Sequence, residues 1–172
     1  MDRSAKLDNW ALGFSYSVLP VSLVFPVADF FISNRERSDR EIRFLTFCGG
    51  IGLHGAISYG LKWSIDRQRP FEKYSDLDHV VMPSSGSFPS GHTGFAFHSA
   101  TLISLEYPKW YVAVPSFGWA VGVGYSRMHL GVHYPTDVFA GLVLGMATGY
   151  VTHKANVWIQ KKAKKRRNNE GF

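Results

Sequence analysis

The sequence predicts an all-α protein, a helical bundle embedded in a membrane through about five transmembrane helices. Three observations predict it. Apolar stretches close to one membrane crossing in length recur along the 172 residues. Glycines repeat at helical spacing inside the last stretch, and basic residues gather in the links that such crossings place on one side. With 45% apolar and 15% aromatic residues the chain can build one packed domain, and its mean hydropathy of −0.07 reflects the polar residues and helix breakers inside every stretch.

The first span, Ala11–Ile32, carries one charge, Asp29, with Pro20 and Pro26 inserted. The second, Ile42–Trp63, contains His54 and a middle rich in glycine. His92–Leu105 is a shorter third, followed by Trp110–Tyr125 and Val138–Trp158. Neighbouring helices in a bundle satisfy the backbone groups that Pro and Gly set free. In the last span Gly141, Gly145 and Gly149 fall on one helix face, where they admit a neighbouring helix closely. The expected organisation is a single helical domain over residues 1–160 and a basic, disordered cytoplasmic tail over 161–172. A soluble bundle with helices apolar all round is the alternative.

Nineteen Lys and Arg against 13 Asp and Glu give a net charge of +6, and seven of the nineteen lie in the last 19 residues. If the spans cross in turn, Arg35, Arg37, Arg40 and Arg43, then Lys109, then the tail share one side, which the positive-inside rule makes cytoplasmic. The same topology puts the N-terminus outside. Met1–Trp10 has no signal-peptide pattern, so either the chain inserts N-terminus out or an upstream segment is missing. The tail has neither interleaved aromatics nor a nucleic-acid-binding signature, so its expected partner is an anionic membrane surface and not nucleic acid. The single cysteine, Cys48, excludes an internal disulfide and a thiolate metal cluster.

Three polar clusters fall at the other side: Lys62 to Arg69-Pro70, then Pro89-Ser90-Gly91-His92, then Ser126-Arg127 with His133 and Asp137. They supply what displacement at phosphorus needs without a metal. Arg127 and Arg69 can grip phosphoryl oxygens bidentately, and Lys62 adds a point charge. Ser90 and Gly91 open a helix, where free N–H groups and the helix dipole favour an anion. His133 and Asp137 have i, i+4 spacing, so the carboxylate can hold one ring nitrogen and leave the other as nucleophile. His92 would protonate the departing oxygen and then activate water.

These residues, KxxxxxxRP, PSGH and SRxxxxxHxxxD, resemble the three-part signature of the type 2 phosphatidic acid phosphatase superfamily, which also includes soluble bacterial acid phosphatases and vanadium haloperoxidases. Eleven fixed positions match in order, with no departure. The resemblance covers about Lys62–Asp137 by motif. It implies a helical bundle, phosphoryl hydrolysis without metal or cofactor, and the roles just given for His133, Asp137, His92, Lys62, Arg69, Ser90, Gly91 and Arg127. Five spans are fewer than the six usual in membrane members, consistent with a lost first segment.

The expected function is a membrane phosphatase that cleaves a phosphomonoester or pyrophosphate of a lipid through a phosphohistidine intermediate, on the non-cytoplasmic face. A soluble or periplasmic non-specific acid phosphatase is the alternative, and a vanadate-dependent haloperoxidase a more distant one. His54, His98 and His153 read as structural, with His129 evenly balanced. No other His, Asp or Glu set has metal-ligand spacing. The Phe71–Phe88 loop, with Asp76, Asp78, His79 and Met82, reads as a solvated connection or a substrate-selecting lid.

Overall fold

The computed structural model describes residues 5–74 and 81–170, and among these every regular element is helical: α1 (Ala5–Tyr16), α2 (Val18–Ile32), α3 (Arg37–Ile65), α4 (Pro70–Lys73), α5 (Gly91–Glu106), α6 (Trp110–His129) and α7 (Pro135–Glu170). The last four sequence segments each lie inside one helix, whereas the first, Ala11–Ile32, is divided between α1 and α2, and the short α4 is an addition. α1 and α2 form one path interrupted at Ser17, whose hydroxyl donates to Phe14 O at 2.7 Å and accepts the Trp119 indole N–H at 2.9 Å. That small break ties the first span to α6. Residues 6–32 and 37–73 are each long and apolar enough to cross a membrane by length and composition alone.

The bundle is built for lipid rather than water outside. Leu19, Phe31, Leu45, Val114, Phe139 and Trp158 are exposed, whereas Ser22, Ser58, Thr93, Ser99, Thr148 and Thr152 are buried. With apolar tails outside, burial of apolar surface cannot drive association, and small residues that let backbones meet take over. A Cβ on Gly141, Gly145 or Gly149 would stand 2.5, 2.3 or 2.7 Å from the carbonyl oxygens of Ser90, Gly94 and His98. The expected glycine face of α7 is thus the surface that touches α5.

One end of the bundle gathers the C-terminus of α3, the N-terminus of α5 and the α6–α7 link. At the other end, α2, α3, α5 and α7 meet in a buried ionic cluster. Arg43 grips both Asp29 oxygens, at 2.8 and 2.7 Å, and reaches Glu106 at 2.5 Å; Glu106 also holds His153 at 2.8 Å. Two expectations are corrected here. Arg43 is not part of a solvated basic link but a buried ion-pair partner inside α3. The residues expected to form a disordered tail continue α7 as helix to Glu170, and Arg167 pins that extension to Asp39 at 2.8 Å.

Candidate active site

Each cation is delivered by a local device. Lys62 occupies the last turn of α3, a position the helix dipole favours for a cation. The chain leaves α3 through Asp66 in the left-handed conformation (φ 40°), which turns the following residues back over the bundle. Arg69 precedes Pro70, the first residue of α4, so it is held extended (φ −79°, ψ 156°), and its N–H is taken by the Glu72 carboxylate at 2.8 Å. Its side chain points inward, donating to Val132 O at 2.9 Å and Ser85 O at 2.9 Å and lying 3.4 Å from His133 Nε2. Lys62 Nζ donates to Gly86 O at 2.8 Å. Gly86 lies so close to the end of α3 that a Cβ would be 3.2 Å from Lys62 O, which only glycine permits without movement.

These side chains surround a cavity of about 420 Å³. Lys62, Arg69, Arg127, Gly91, His92 and His133 line it, together with apolar residues such as Leu12, Val18, Leu19, Val81 and Phe95. The geometry thus brings six of the eight predicted residues to one wall. The other two, Ser90 and Asp137, are fully buried behind it. Ser90 spends its N–H on Asp137 O at 3.0 Å and its hydroxyl on Thr93 Oγ1 at 2.9 Å, so the amides left at the start of α5 are those of Gly91 and its successors. Of the loop expected as a lid or connection, Val81 to Ser85 border the cavity, while Asp76, Asp78 and His79 lie outside the described residues.

His133 sits in the α6–α7 link with Nδ1 3.6 Å from Asp137 Oδ2, Nε2 turned toward Arg69, and Nδ1 otherwise without a hydrogen-bond partner among the described residues. Burial pushes its imidazole down to about 4; Arg69, Arg127 and Lys62 act the same way and Asp137 opposes them. It is therefore neutral near pH 7, with a lone pair available.

Sequence reasoning missed three groups. Ser15 of α1 accepts a hydrogen bond from Arg127. Asp8 pairs with His129 at 3.0 Å, which gives that histidine a structural partner. Arg67 binds Asp137 Oδ1 at 2.6 Å. No spacing rule predicts these contacts, since each joins segments at least 70 residues apart. His54 and His98 both contact Thr148 Oγ1 at 3.0 Å, as befits structural residues. Among the described residues no group of three His, Cys, Asp or Glu side chains is arranged to hold a metal ion.

A helical bundle whose three linked corners present cations and two imidazoles to one cavity defines a phosphoryl-handling protein class. The PAP2 superfamily matches residues 43–161, and the chain belongs to that superfamily. It is 35% identical over 144 residues to phosphatidylglycerophosphatase B of Bacillus subtilis, covering 78% of this chain and 66% of that protein. The crystal structure of a transmembrane PAP2 type phosphatidylglycerolphosphate phosphatase from Bacillus subtilis superposes with a TM-score of 0.73 at 28% identity, over 92% of this chain and 80% of that one. Aquifex aeolicus LpxE gives a TM-score of 0.72 at 30% identity over 89% and 88%. The chain spans two thirds or less of the length of several curated relatives, 64% of dolichyldiphosphatase 1 of Dictyostelium discoideum among them. The fold is that of a membrane-embedded helical bundle.

Proposed function

We propose that this protein hydrolyses a phosphomonoester or pyrophosphate of a membrane lipid, without a metal, through a phosphohistidine intermediate. The observation that carries this reading is the convergence of Lys62, Arg69 and Arg127 with His92 and His133 on one cavity whose lining also includes Leu12, Val18, Leu19 and Phe95. Its relatives support the substrate class: their names specify phosphatidylglycerophosphate, dolichyl diphosphate and lipid A phosphates.

In this mechanism the three cations hold the nonbridging oxygens and offset the charge carried by the transferred group. Neutral His133 attacks phosphorus through Nε2 while Asp137 takes up the Nδ1 proton's charge, forming a P–N bond. The P–O bond to the lipid breaks, and His92 gives its proton to the leaving oxygen. Water then attacks phosphorus, His92 takes its proton, the P–N bond breaks, and inorganic phosphate leaves. The amides at the start of α5 add N–H donors for the phosphoryl oxygens. The exposed apolar helix faces favour this reading over a soluble acid phosphatase. The catalytic end faces away from the cytoplasm, and the lysines of α7 meet anionic headgroups within.

A phosphate-release assay of the purified protein in mixed micelles tests the reading, with phosphatidic acid, phosphatidylglycerophosphate, an isoprenyl diphosphate and lipid A as substrates. Release is expected with at least one, persisting in EDTA and lost in His133→Ala by more than about a hundredfold. Activity that disappears in EDTA and returns with magnesium, or that survives in His133→Ala, overturns it.

A further inference from the structure

We infer that Arg67 is a positioning residue for the His133–Asp137 pair, acting through Asp137 and not on the substrate; the inference rests on the phosphatase reading above. Arg67 lies in the link between α3 and α4, two residues before Arg69, and it does not line the phosphate cavity. The Arg67 side chain is partly exposed, whereas Arg69 is buried. Arg69 reaches inward to Val132 O and His133 Nε2, and Arg67 lies on the outer side of the same pair.

The side-chain hydrogen bonds of Arg67 fall on the α6–α7 corner, while its carbonyl accepts from Ser87 N at 2.8 Å. Its Nη1 donates to Asp137 Oδ1 at 2.6 Å and to Thr136 Oγ1 at 2.8 Å, and its guanidinium lies over the Tyr134 ring, 4.1 Å from the centroid. Tyr134 in turn donates its N–H to the other Asp137 oxygen at 2.9 Å. The fully buried carboxylate is thus fixed from two directions, neither of them His133, whose Nδ1 stands 3.6 Å away. One oxygen is occupied by a cation and the other remains near the imidazole. That arrangement stops the carboxylate from rotating away and limits how much negative charge it presents to His133.

The charged and titratable groups around the pair come from every packed element: Arg67 and Arg69 from the α3–α4 link, Lys62 from α3, His92 from α5 and Arg127 from α6. All but Arg67 line the cavity, where a bound phosphate would compensate them. Arg67 alone among these cations is ion-paired with Asp137.

Kinetics on a lipid substrate cleaved by the wild type test this. In Arg67→Gln, kcat is expected to fall about ten- to hundredfold with KM within about threefold, and the acid limb of kcat/KM to move up by about one pH unit, as His133 gains basicity from a carboxylate freed of its cation. Arg67→Lys should recover part of kcat. In an Asp137→Asn background Arg67→Gln should add little further loss, because the route of its action is already cut. A rise in KM with unchanged kcat would make Arg67 a substrate ligand, and an equal fold-loss in both backgrounds, or an unmoved acid limb, would make it merely structural; either overturns the inference. Thermal melts of each variant in detergent identify folding losses, and Arg67→Lys provides the kinetic test should Arg67→Gln not fold. Failure of the wild type itself to release phosphate would instead sink the phosphatase reading.

Discussion

An imidazole attacks phosphorus only while its nitrogen keeps a lone pair, and His133 meets that condition through burial among cations. The same circumstance has a thermodynamic sign. In the unfolded chain this histidine takes a proton near 6.5, whereas in the fold it does so near 4, so between those values the unfolded state binds the extra proton. Its contribution is therefore constant above about pH 6.5 and turns increasingly unfavourable to the fold as pH falls toward 4. Denaturation of wild type and His133→Gln in detergent between pH 7 and 4 should show the wild type losing stability more steeply, by up to about 1.4 kcal/mol per pH unit. Parallel slopes would show that His133 is not held neutral. Arg127 has a different requirement. Its Nη1 is anchored by Ser15, and its buried Nε has no hydrogen-bond partner among the described residues. Arg127→Lys keeps the charge and loses the fork, and turnover should fall by about a hundredfold. Near-normal kinetics would remove Arg127 from the phosphate site.

The helices hold these residues by backbone contact. At Gly145 an added Cβ would sit 2.3 Å from Gly94 O and 3.0 Å from His98 N, both main-chain atoms that cannot turn aside. Gly145→Ala should therefore push α7 from α5 and lower stability by about 1–3 kcal/mol in thermal unfolding. Gly118→Ala, on a face of α6 with nothing within 4 Å, should be neutral or mildly stabilising. Equal behaviour of the two variants would show that α5 and α7 do not meet there. The glycine face was legible in the sequence because spacing alone puts residues 141, 145 and 149 on one side of a helix. The partners of Asp29 and Arg43 were not. A lone acid in a span and a base in the next segment give no sign of pairing until two helices are set side by side, and Glu106 joins them from 63 residues beyond Arg43. The same holds for Arg67. Its neighbour Arg69 was recognisable from the following proline and its fixed distance from Lys62, whereas the contact of Arg67 with Asp137 depends on how the chain turns at Asp66. The helical course of residues 161–170 was missed because a run of lysines and arginines was read as charge alone, although both residue types propagate helices well.

At the scale of the whole molecule, the three signature corners occupy one end, and the α2–α3 link, Lys109 and the end of α7 occupy the other. α7, at 36 residues and about 54 Å, is longer than a membrane core of about 30 Å. Sidedness follows from impermeant thiol labelling of intact cells in a Cys48→Ser background, which leaves the introduced cysteine as the single thiol. Ser85→Cys at the catalytic end should label and Asn169→Cys should not. Labelling of 169 without 85 would invert the orientation, and labelling of both in a detergent-free soluble fraction would favour a soluble phosphatase.

The cavity wall that includes Tyr16, Leu19 and Tyr59 is also part of the outer face of the bundle, for these residues are 65, 62 and 65% exposed. Under the proposed reading, a lipid headgroup would enter there sideways from the bilayer while its tail stayed among other tails. The relevant concentration is then a surface density. Turnover should rise with the mole fraction of substrate in the vesicle and stay level when vesicles of one composition are diluted with buffer. Proteins and substrate confined to one sheet meet in two dimensions, and crowding of that sheet by other lipids becomes the natural inhibitor.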